Sequence, residues 1–281
     1  MDYCIFSDLD RTLLPNGDQP ESPGARPLFR ALAARADVFL CYVSGRDRLL
    51  LQQAIAGFEL PLPDFAIGDV GTTIYEITGD QWTLWQPWHD LIGQDWAGTD
   101  AQQLAELLAG SGAIRLQEPG KQGKYKLSYY VSPQSDVRAL LDEARNRLDR
   151  EGVHASLVWS VDEQARTGLL DVLPASADKL QAIRFMQQRL GLAPERVVFA
   201  GDSGNDLAVL TSGIRSILVA NAHPDVSAAA RRSADDRLYH AGGGYLGMNG
   251  CYAAGVLEGI AHYFPDLGTW LERNAEDGLF E

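Results

Sequence analysis

The sequence feature that most constrains this chain is a pair of aspartates directly after its first apolar segment. Asp8 and Asp10 follow residues 3–7, which are apolar enough to form a buried strand. Because side chains alternate between the two faces of a strand, we expect both carboxylates to point the same way. Adjacent carboxylates repel each other, and a hard divalent cation such as Mg²⁺ would offset that repulsion. A solvated acidic turn is the alternative interpretation.

The charge balance of the chain excludes some classes of partner. Lys and Arg number 24 against 38 Asp and Glu, which gives a formal net charge of −14 over 281 residues. Nucleic acid and anionic membrane surfaces are therefore not expected as partners. A phosphorylated substrate would need a local cluster of cationic groups in so acidic a chain.

Cysteine use and hydropathy predict the compartment. Cys4, Cys41 and Cys251 show no metal-ligand or redox spacing, so we expect buried thiols in a reducing compartment. No apolar run of 18 residues occurs, and no signal-peptide pattern opens the sequence. These observations predict a soluble, cytoplasmic protein.

Apolar segments that alternate with amphipathic ones predict a doubly wound, Rossmann-like α/β core. Buried strands are predicted at residues 3–7, 38–43, 65–68 and 196–200, and helices are predicted between them. This order of strands and helices is typical of a parallel sheet covered by helices on both faces.

The composition changes in residues 77–165, which contain five of the six tryptophans. Polar and apolar residues alternate at 124–131, which predicts a strand with one covered and one open face. Helices are predicted at 99–110 and 135–151, so this segment has the pattern of an α+β unit. We interpret the tryptophans as packing residues, with sugar contact as the alternative.

Two boundaries follow from this change. We expect a core domain formed by residues 1–76 and 166–281, interrupted by a cap domain at 77–165. The apolar run at 169–173 resembles the buried strands of the first part and is assigned to the core. The predicted architecture is thus a parallel α/β core with an inserted α+β cap.

Three further polar segments stand where predicted strands give way to helices. Ser44 is either a helix N-cap or a hydroxyl that holds a phosphate at a helix N-terminus. Lys179 stands at a predicted helix start, where the helix dipole makes a cation mildly unfavourable. A solvated lysine is the usual case, but the unfavourable position indicates a specific role. Asp202, Asn205 and Asp206 follow a strand on a Gly-rich loop. They form a second candidate cation site, with an ordinary polar turn as the alternative.

We expect these segments to meet, because ligands bind at the carboxyl ends of the strands in open α/β sheets. The carboxylates would supply a divalent-cation site, and the hydroxyl, the lysine and the helix N-termini would supply an anion site. An anion beside a hard cation and a free carboxylate nucleophile indicates phosphoryl transfer through an aspartyl-phosphate. The residues alone leave open which aspartate attacks.

The joint pattern resembles the haloacid dehalogenase superfamily. Its motifs correspond, in order, to Asp8-Leu-Asp10-Arg-Thr12, Ser44-Gly45-Arg46, Lys179 and Gly201-Asp202-Ser-Gly-Asn205-Asp206. The resemblance implies that Asp8 is the nucleophile and that Asp10 acts first as general acid and then as general base.

The same resemblance implies roles for the other motif residues. Phosphate would be bound by Thr12, Ser44, Gly45, Arg46 and Lys179. Mg²⁺ would be held by Asp8, the Asp10 backbone carbonyl and Asp202. The metal site would be supported by Ser203, Asn205 and Asp206.

The insert resembles the type C2 cap of that superfamily, and the nearest likeness is to the sucrose-6-phosphate phosphatases. This likeness rests on residues 66–75, 126–131, 170–174 and 255–262. By analogy, the sugar-binding side chains would be Asp69, Lys124, Lys126 and Tyr129. Two positions depart from the family pattern: Leu180 stands where Gly is usual, and Tyr252 where His is expected.

The resemblance implies Mg²⁺-dependent hydrolysis of a sugar phosphate, with sucrose 6-phosphate as the first expectation. Phosphates of mannosylfructose, glucosylglycerol, mannosyl-3-phosphoglycerate or simple hexoses are alternatives on the same scaffold, and a phosphomutase is another. A different class remains open, namely a non-catalytic sugar-phosphate-binding partner of a glycosyltransferase. Functional pairing of an active phosphatase with a glycosyltransferase is also expected.

Overall fold

The secondary structure is that of a computed structural model, which describes residues 2–110, 113–132, 134–162, 166–233 and 236–276. In chain order the strands are β1 (Tyr3–Ser7), β2 (Val38–Val43), β3 (Phe65–Gly68), β4 (Thr73–Thr78), β5 (Gln81–Leu84), β6 (Ile114–Leu116), β7 (Leu127–Val131), β8 (Ala155–Asp162), β9 (Thr167–Pro174), β10 (Val197–Gly201), β11 (Ser216–Leu218) and β12 (Leu238–His240). The α-helices are α1 (Ala25–Ala33), α2 (Arg48–Gly57), α3 (Gln86–Ile92), α4 (Ala101–Leu108), α5 (Val137–Arg150), α6 (Lys179–Leu190), α7 (Leu207–Leu210), α8 (Pro224–Ser233), α9 (Ala253–Tyr263) and α10 (Pro265–Glu276).

The larger sheet has eight strands in the order β12-β11-β10-β1-β2-β3-β4-β5. The six strands from β12 to β3 are parallel, and β4 and β5 continue the sheet in antiparallel fashion. Strand β1 lies inside the sheet, and its Cys4 is in register with Phe39 of β2 and Val197 of β10. The predicted parallel α/β core is confirmed.

Alternate residues of each central strand pack against helices on opposite faces of the sheet. In β2, Leu40 and Tyr42 join an apolar cluster with helices α1, α9 and α10. Phe39 and Cys41 join a second cluster with helices α6, α7 and α8. All six β2 residues are buried, and full burial of one such apolar side chain contributes about 1.5–3 kcal/mol.

The smaller sheet is antiparallel, with strands in the order β6-β7-β9-β8. Helices α4 and α5 cover one face, where Leu104, Leu140 and Leu148 pack with Leu127 and Val172 of the strands. This arrangement of a four-stranded sheet and two helices is an α+β unit inserted into the chain of the core, as the sequence predicts.

Two strands lie on the other side of the expected domain boundaries. β5 begins at residue 81, yet it pairs with β4 in the core sheet. β9 spans the run at 169–173 that was assigned to the core, but it pairs with β7 and β8 in the cap sheet. A short apolar run is compatible with either sheet, and only strand pairing distinguishes them. We therefore propose boundaries near residues 85 and 175; the expected boundary at 165 lies outside the described residues.

The tryptophans of the insert are mostly packing residues. Trp82 is buried in the core, where it packs against Tyr75 with ring centroids 5.7 Å apart. Trp88 is buried where the cap joins the core, and its Nε1 donates to the Gly71 backbone carbonyl at 2.9 Å. Trp96 lies in the core of the cap. These placements favour packing over sugar contact.

The three cysteines are free and buried, as expected. Within the described ranges, each helix is too short or too polar to cross a lipid bilayer.

Gly71 permits the close approach of the segment that carries Lys179. Its φ is +102°, and a Cβ at this position would lie 2.4 Å from the carbonyl carbon of Asp178. The preceding Val70 also has a positive φ of 61°, which is strained for a β-branched residue. The loop between β3 and β4 therefore holds an unfavourable conformation beside the start of α6.

We expect Gly71→Ala to lower the free energy of unfolding by about 1–3 kcal/mol more than Gly79→Ala does. Gly79 also has a positive φ, of 57°, but nothing lies within 4 Å of its added Cβ. Urea denaturation of both variants measures the difference. Equal destabilisation would show that backbone conformation alone, and not the contact with Asp178, requires glycine at residue 71.

Candidate active site

The candidate site lies at the carboxyl ends of β1 and β10, which are neighbours in the core sheet. Asp8 follows β1, and its backbone N–H donates to the carbonyl of Ala200 in β10 at 2.9 Å. Asp202 follows β10 directly. The sheet register therefore brings together two aspartates that are 194 positions apart in the sequence.

Three buried carboxylates form the centre of the site. Each of Asp8, Asp202 and Asp206 has an oxygen within 4.8 Å of the others, and the residues are 4%, 1% and 0% exposed. The Thr12 hydroxyl lies 3.4 Å from both Asp8 Oδ2 and Asp202 Oδ1. An oxygen cluster of this kind suits a hard divalent cation.

Lys179 supplies the positive charge of this cluster. Its Nζ donates to Asp8 Oδ1 at 2.8 Å, to Asp206 Oδ1 at 2.6 Å and to Asn205 Oδ1 at 3.0 Å. Lys179 is the first residue of α6, and its side chain is 2% exposed. The cation near a helix N-terminus is thus stabilised by buried anions.

The loop after β10 is held by Asp206. Its Oδ2 accepts from the backbone N–H groups of Asp202 and Ser203, both at 3.1 Å. The Ser203 hydroxyl lies 3.1 Å from the same oxygen and 2.9 Å from Asn205 Oδ1. A Cβ on Gly201 would lie 2.8 Å from the Asp206 carboxyl carbon, so a larger residue would displace this carboxylate.

Burial makes the ionised state of these carboxylates unfavourable. It raises the pKa of Asp8 to about 8, with Asp206 adding to the rise and Lys179 opposing it. It raises the pKa of Asp202 to about 6, again with Asp206 adding to the rise. Burial alone would lower the pKa of Lys179, but Asp206 and Asp8 outweigh it and the pKa is raised. With all three carboxylates ionised, the cluster would hold more negative than positive charge, and Mg²⁺ fits this donor set.

Asp10 is bound by Arg46 and Asn16 and is not one of the three clustered carboxylates, although the sequence predicts that it converges with Asp8. β1 ends at Ser7, so strand alternation does not extend to Asp10. The Arg46 guanidinium donates to both Asp10 oxygens, at 2.8 and 2.7 Å, and Asn16 Nδ2 donates at 2.7 Å. Burial tends to raise the pKa of Asp10, but the hydrogen bonds from Arg46 outweigh it and the pKa is lowered.

Ser44 is not the helix N-cap that one interpretation expected. Helix α2 begins at Arg48, and Asp47 caps it by accepting from the Leu50 N–H at 2.9 Å. The buried Ser44 hydroxyl instead accepts from the Arg46 N–H at 3.2 Å. Ser44 therefore lies on the turn before the helix, where phosphate binding remains a prediction.

A pocket of about 570 Å³ opens over the cluster. Of the predicted residues, it is lined by Asp8, Asp10, Gly45, Arg46, Asp202, Ser203 and Asn205. Sequence reasoning missed four charged or titratable residues of its lining, namely Arg11, Lys121, His223 and Asp225. Arg11 lies inside the first motif and was therefore detectable; its Nε is 3.4 Å from Asp202 Oδ2. The other three carry no motif signal, because the packing of segments distant in the sequence brings them to the pocket.

The predicted sugar-binding residues lie at the cap or its junction with the core. Lys126 is buried and donates to the Lys121 carbonyl at 3.3 Å. Burial raises the pKa of Asp69, and the charge of Lys126 opposes that rise. The Lys124 ammonium lies 5.1 Å from the Tyr125 ring centroid. Tyr129 packs in the cap core, which does not favour a sugar contact.

The two departures from the family pattern have structural roles. Tyr252 is buried, and its hydroxyl donates to the Gln19 carbonyl at 3.1 Å. Leu180 packs at the edge of the apolar cluster beneath α6. Neither side chain lines the pocket.

Comparison with protein families shows which family this chain belongs to. Residues 1–264 match the family model of sucrose-6F-phosphate phosphohydrolases. The chain belongs to this family. It is a sugar phosphatase of the haloacid dehalogenase superfamily, which confirms the recognition made from the motifs.

Individual relatives span nearly the whole chain. A protein of Nitrosococcus oceani named only as a HAD-like hydrolase is 53% identical over 99% of this chain and 76% of its own. A mannosylfructose-phosphate phosphatase of Agrobacterium fabrum is 29% identical over 92% of this chain and 96% of its own. The sucrose-phosphatase structure from Synechocystis, with sucrose and phosphate bound, is similar at a TM-score of 0.71 and 27% identity. That similarity covers 93% of this chain and 98% of the other.

We expect Lys179→Met to lower the free energy of unfolding by about 3–5 kcal/mol, because it leaves buried carboxylates without their cation. Urea denaturation in the presence of EDTA measures this change. Arg145→Met is the matched control, since Arg145 pairs with Asp142 on the surface of α5 and its loss should cost about 1 kcal/mol or less. Equal losses would contradict the central role of Lys179.

We also expect Mg²⁺ to stabilise the folded protein more at about pH 8 than at about pH 5. The raised pKa values of Asp8 and Asp202 mean that the metal-free folded state binds more protons than the unfolded state at intermediate pH. Its stability therefore falls as the pH rises from about 4 to about 8, and a bound cation reverses this loss.

The melting temperature measured with EDTA and with Mg²⁺ at both pH values tests this expectation. Asp202→Asn should remove most of the gain at the higher pH. Asp225→Asn changes an exposed carboxylate at the pocket rim and should keep it. A gain that is equal at both pH values would contradict metal binding by the buried cluster.

Proposed function

We propose that the protein hydrolyses a phosphorylated disaccharide, first of all sucrose 6-phosphate, with Mg²⁺ and through an aspartyl-phosphate on Asp8. The observation that carries this proposal is the hydrogen bonding of the two Asp8 carboxylate oxygens. Lys179 holds Oδ1, while among the described residues Oδ2 accepts only a long hydrogen bond of 3.4 Å, from Thr12. Oδ2 thus belongs to a buried carboxylate that lines the pocket, and we assign the attack to this oxygen.

In the first step, Asp8 Oδ2 forms a bond to phosphorus while the bond from phosphorus to the sugar oxygen breaks. The electron pair goes to the sugar oxygen, and Asp10 donates a proton to it. Bound Mg²⁺, held by Asp8 and Asp202 with support from Asp206, would neutralise negative charge on the phosphoryl oxygens. Lys179 opposes the effect of burial on the pKa of Asp8 and fixes the orientation of its carboxylate.

In the second step, Asp10 takes a proton from water as the water oxygen bonds to phosphorus. The bond from phosphorus to Asp8 breaks, inorganic phosphate leaves, and the Asp8 carboxylate is restored. Both steps require Asp10 to leave Arg46. A substrate phosphate that binds Arg46 would release Asp10 and remove the hydrogen bonds that lower its pKa. Phosphate binding at Arg46 would thereby free Asp10 to act as the general acid.

The choice of sugar rests on the relatives. The family model is named for sucrose-6F-phosphate, and the similar Synechocystis structure contains sucrose and phosphate. Mannosylfructose phosphate is the second candidate, because the Agrobacterium phosphatase named for it matches nearly the full chain. Both sugars are disaccharides that contain fructose, so the same pocket could accept either.

Pairing with a glycosyltransferase stays a further proposal. A glucosylglycerol-phosphate synthase of Pseudomonas anguilliseptica is 28% identical to 92% of this chain, but the match covers only 30% of the synthase. A domain like this one therefore occurs within a longer chain named as a synthase. A separate synthase that supplies the phosphorylated sugar is the corresponding partner here.

We expect phosphate release with Mg²⁺ to be fastest for sucrose 6-phosphate in a panel that includes mannosylfructose phosphate, glucosylglycerol phosphate, mannosyl-3-phosphoglycerate, glucose 6-phosphate and fructose 6-phosphate. Asp8→Asn should lower kcat by about a thousandfold or more, because the nucleophile is lost. Asp18→Asn alters an exposed acid of the same loop and should leave kcat unchanged.

Full turnover by Asp8→Asn would overturn the nucleophile assignment. Binding of sugar phosphate without any release by the unchanged protein would favour the non-catalytic alternative. Transfer of phosphate to a second sugar position, with little release, would favour a phosphomutase.

A further inference from the structure

One turn of the cap reaches the pocket of the core. The short 3-10 turn Pro119–Lys121 precedes β7, and Lys121 lines the same pocket as Asp8 and Arg46. Every other residue that lines this pocket, within the described ranges, belongs to the core. Lys121 is therefore the point at which the cap reaches the space above the carboxylate cluster.

The backbone of Lys121 is fixed to the cap sheet. Its carbonyl accepts from Lys126 Nζ at 3.3 Å and lies 3.1 Å from the Ser128 hydroxyl. Ser128 also hydrogen-bonds the Asp171 carboxylate of β9 at 2.5 Å. These bonds hold the root of the Lys121 side chain in place, while the side chain itself is exposed to the pocket.

The other cationic groups at the pocket are paired with acids. Arg46 is bound to Asp10, and Arg11 lies 3.4 Å from Asp202. The His223 imidazole, which is cationic only when protonated, lies 3.7 Å from Asp225.

Among the described residues, no carboxylate lies within 4.0 Å of Lys121 Nζ. Glu118 of the same turn accepts from the Tyr130 hydroxyl at 2.8 Å. An incoming dianion would thus meet one lysine whose charge is not already compensated by an ion pair.

We propose that Lys121 binds the phosphoryl group of the substrate from the cap side and thereby favours phosphorylated sugars over neutral ones. This inference rests on the proposed function. A phosphate monoester carries a charge of about −1.5 to −2 at neutral pH, so it attracts a cap-borne ammonium that a neutral sugar does not. The contact joins the cap to the core only while phosphate is present, and it is lost once the phosphate leaves.

Binding of inorganic phosphate, measured by calorimetry in the presence of Mg²⁺, tests this role without any turnover. Lys121→Met should weaken phosphate binding about tenfold, the effect of one lost charge-assisted hydrogen bond. Lys121→Arg keeps the charge and should stay within about threefold of the unchanged protein. Arg138→Met is the matched control, because Arg138 is an exposed cation of the cap on α5 that does not line the pocket.

Steady-state kinetics with the preferred sugar phosphate provide the second readout. Lys121→Met should raise KM about tenfold, whereas the KM of Arg138→Met should not change. Unfolding curves that match those of the unchanged protein exclude a folding defect.

Equal phosphate affinity in Lys121→Met and Arg138→Met would overturn the inference. A loss of affinity in both variants would also overturn it, because it would reflect overall charge. If the unchanged protein binds phosphate through Lys121 but hydrolyses no sugar phosphate, the inference stands and the proposed function fails.

Discussion

Lys179 places one buried positive charge between the carboxylates of Asp8 and Asp206, at 2.8 and 2.6 Å. Each of these groups loses several kcal/mol of hydration free energy on burial, so each depends on the others to remain ionised. When all three carboxylates of the site are ionised, negative charge is in excess, and a divalent cation would neutralise it. Stability of the site and its proposed chemistry therefore rest on the same charges.

The position of this cation also connects the two parts of the molecule. Lys179 begins α6, and only residues 175–178 separate it from β9 of the cap. Ser176 in that connection donates from its N–H and its hydroxyl to Asp95, at 2.7 and 2.6 Å. A movement of the cap would act on the chain only a few residues from the buried ammonium.

Asp10 and Arg46 are bound to each other in the site without substrate. A bidentate ion pair fixes both partners in one geometry, and Asn16 adds a third hydrogen bond. Neither Asp10 nor Arg46 then holds the position that its proposed role requires. Because a phosphate dianion competes with a carboxylate for a guanidinium, the proposed substrate would supply the means to release both.

The sequence by itself determined the parallel α/β core, the inserted α+β unit and the residues of the motifs, because these depend on local periodicity and short spacing. Tertiary structure alone decided which sheet received β5 and β9, since an apolar strand is compatible with either sheet. It also decided that Arg46 binds Asp10 and that Lys121 reaches the pocket from the cap. Such contacts depend on side-chain direction and loop packing between distant segments, which no local pattern in the sequence encodes.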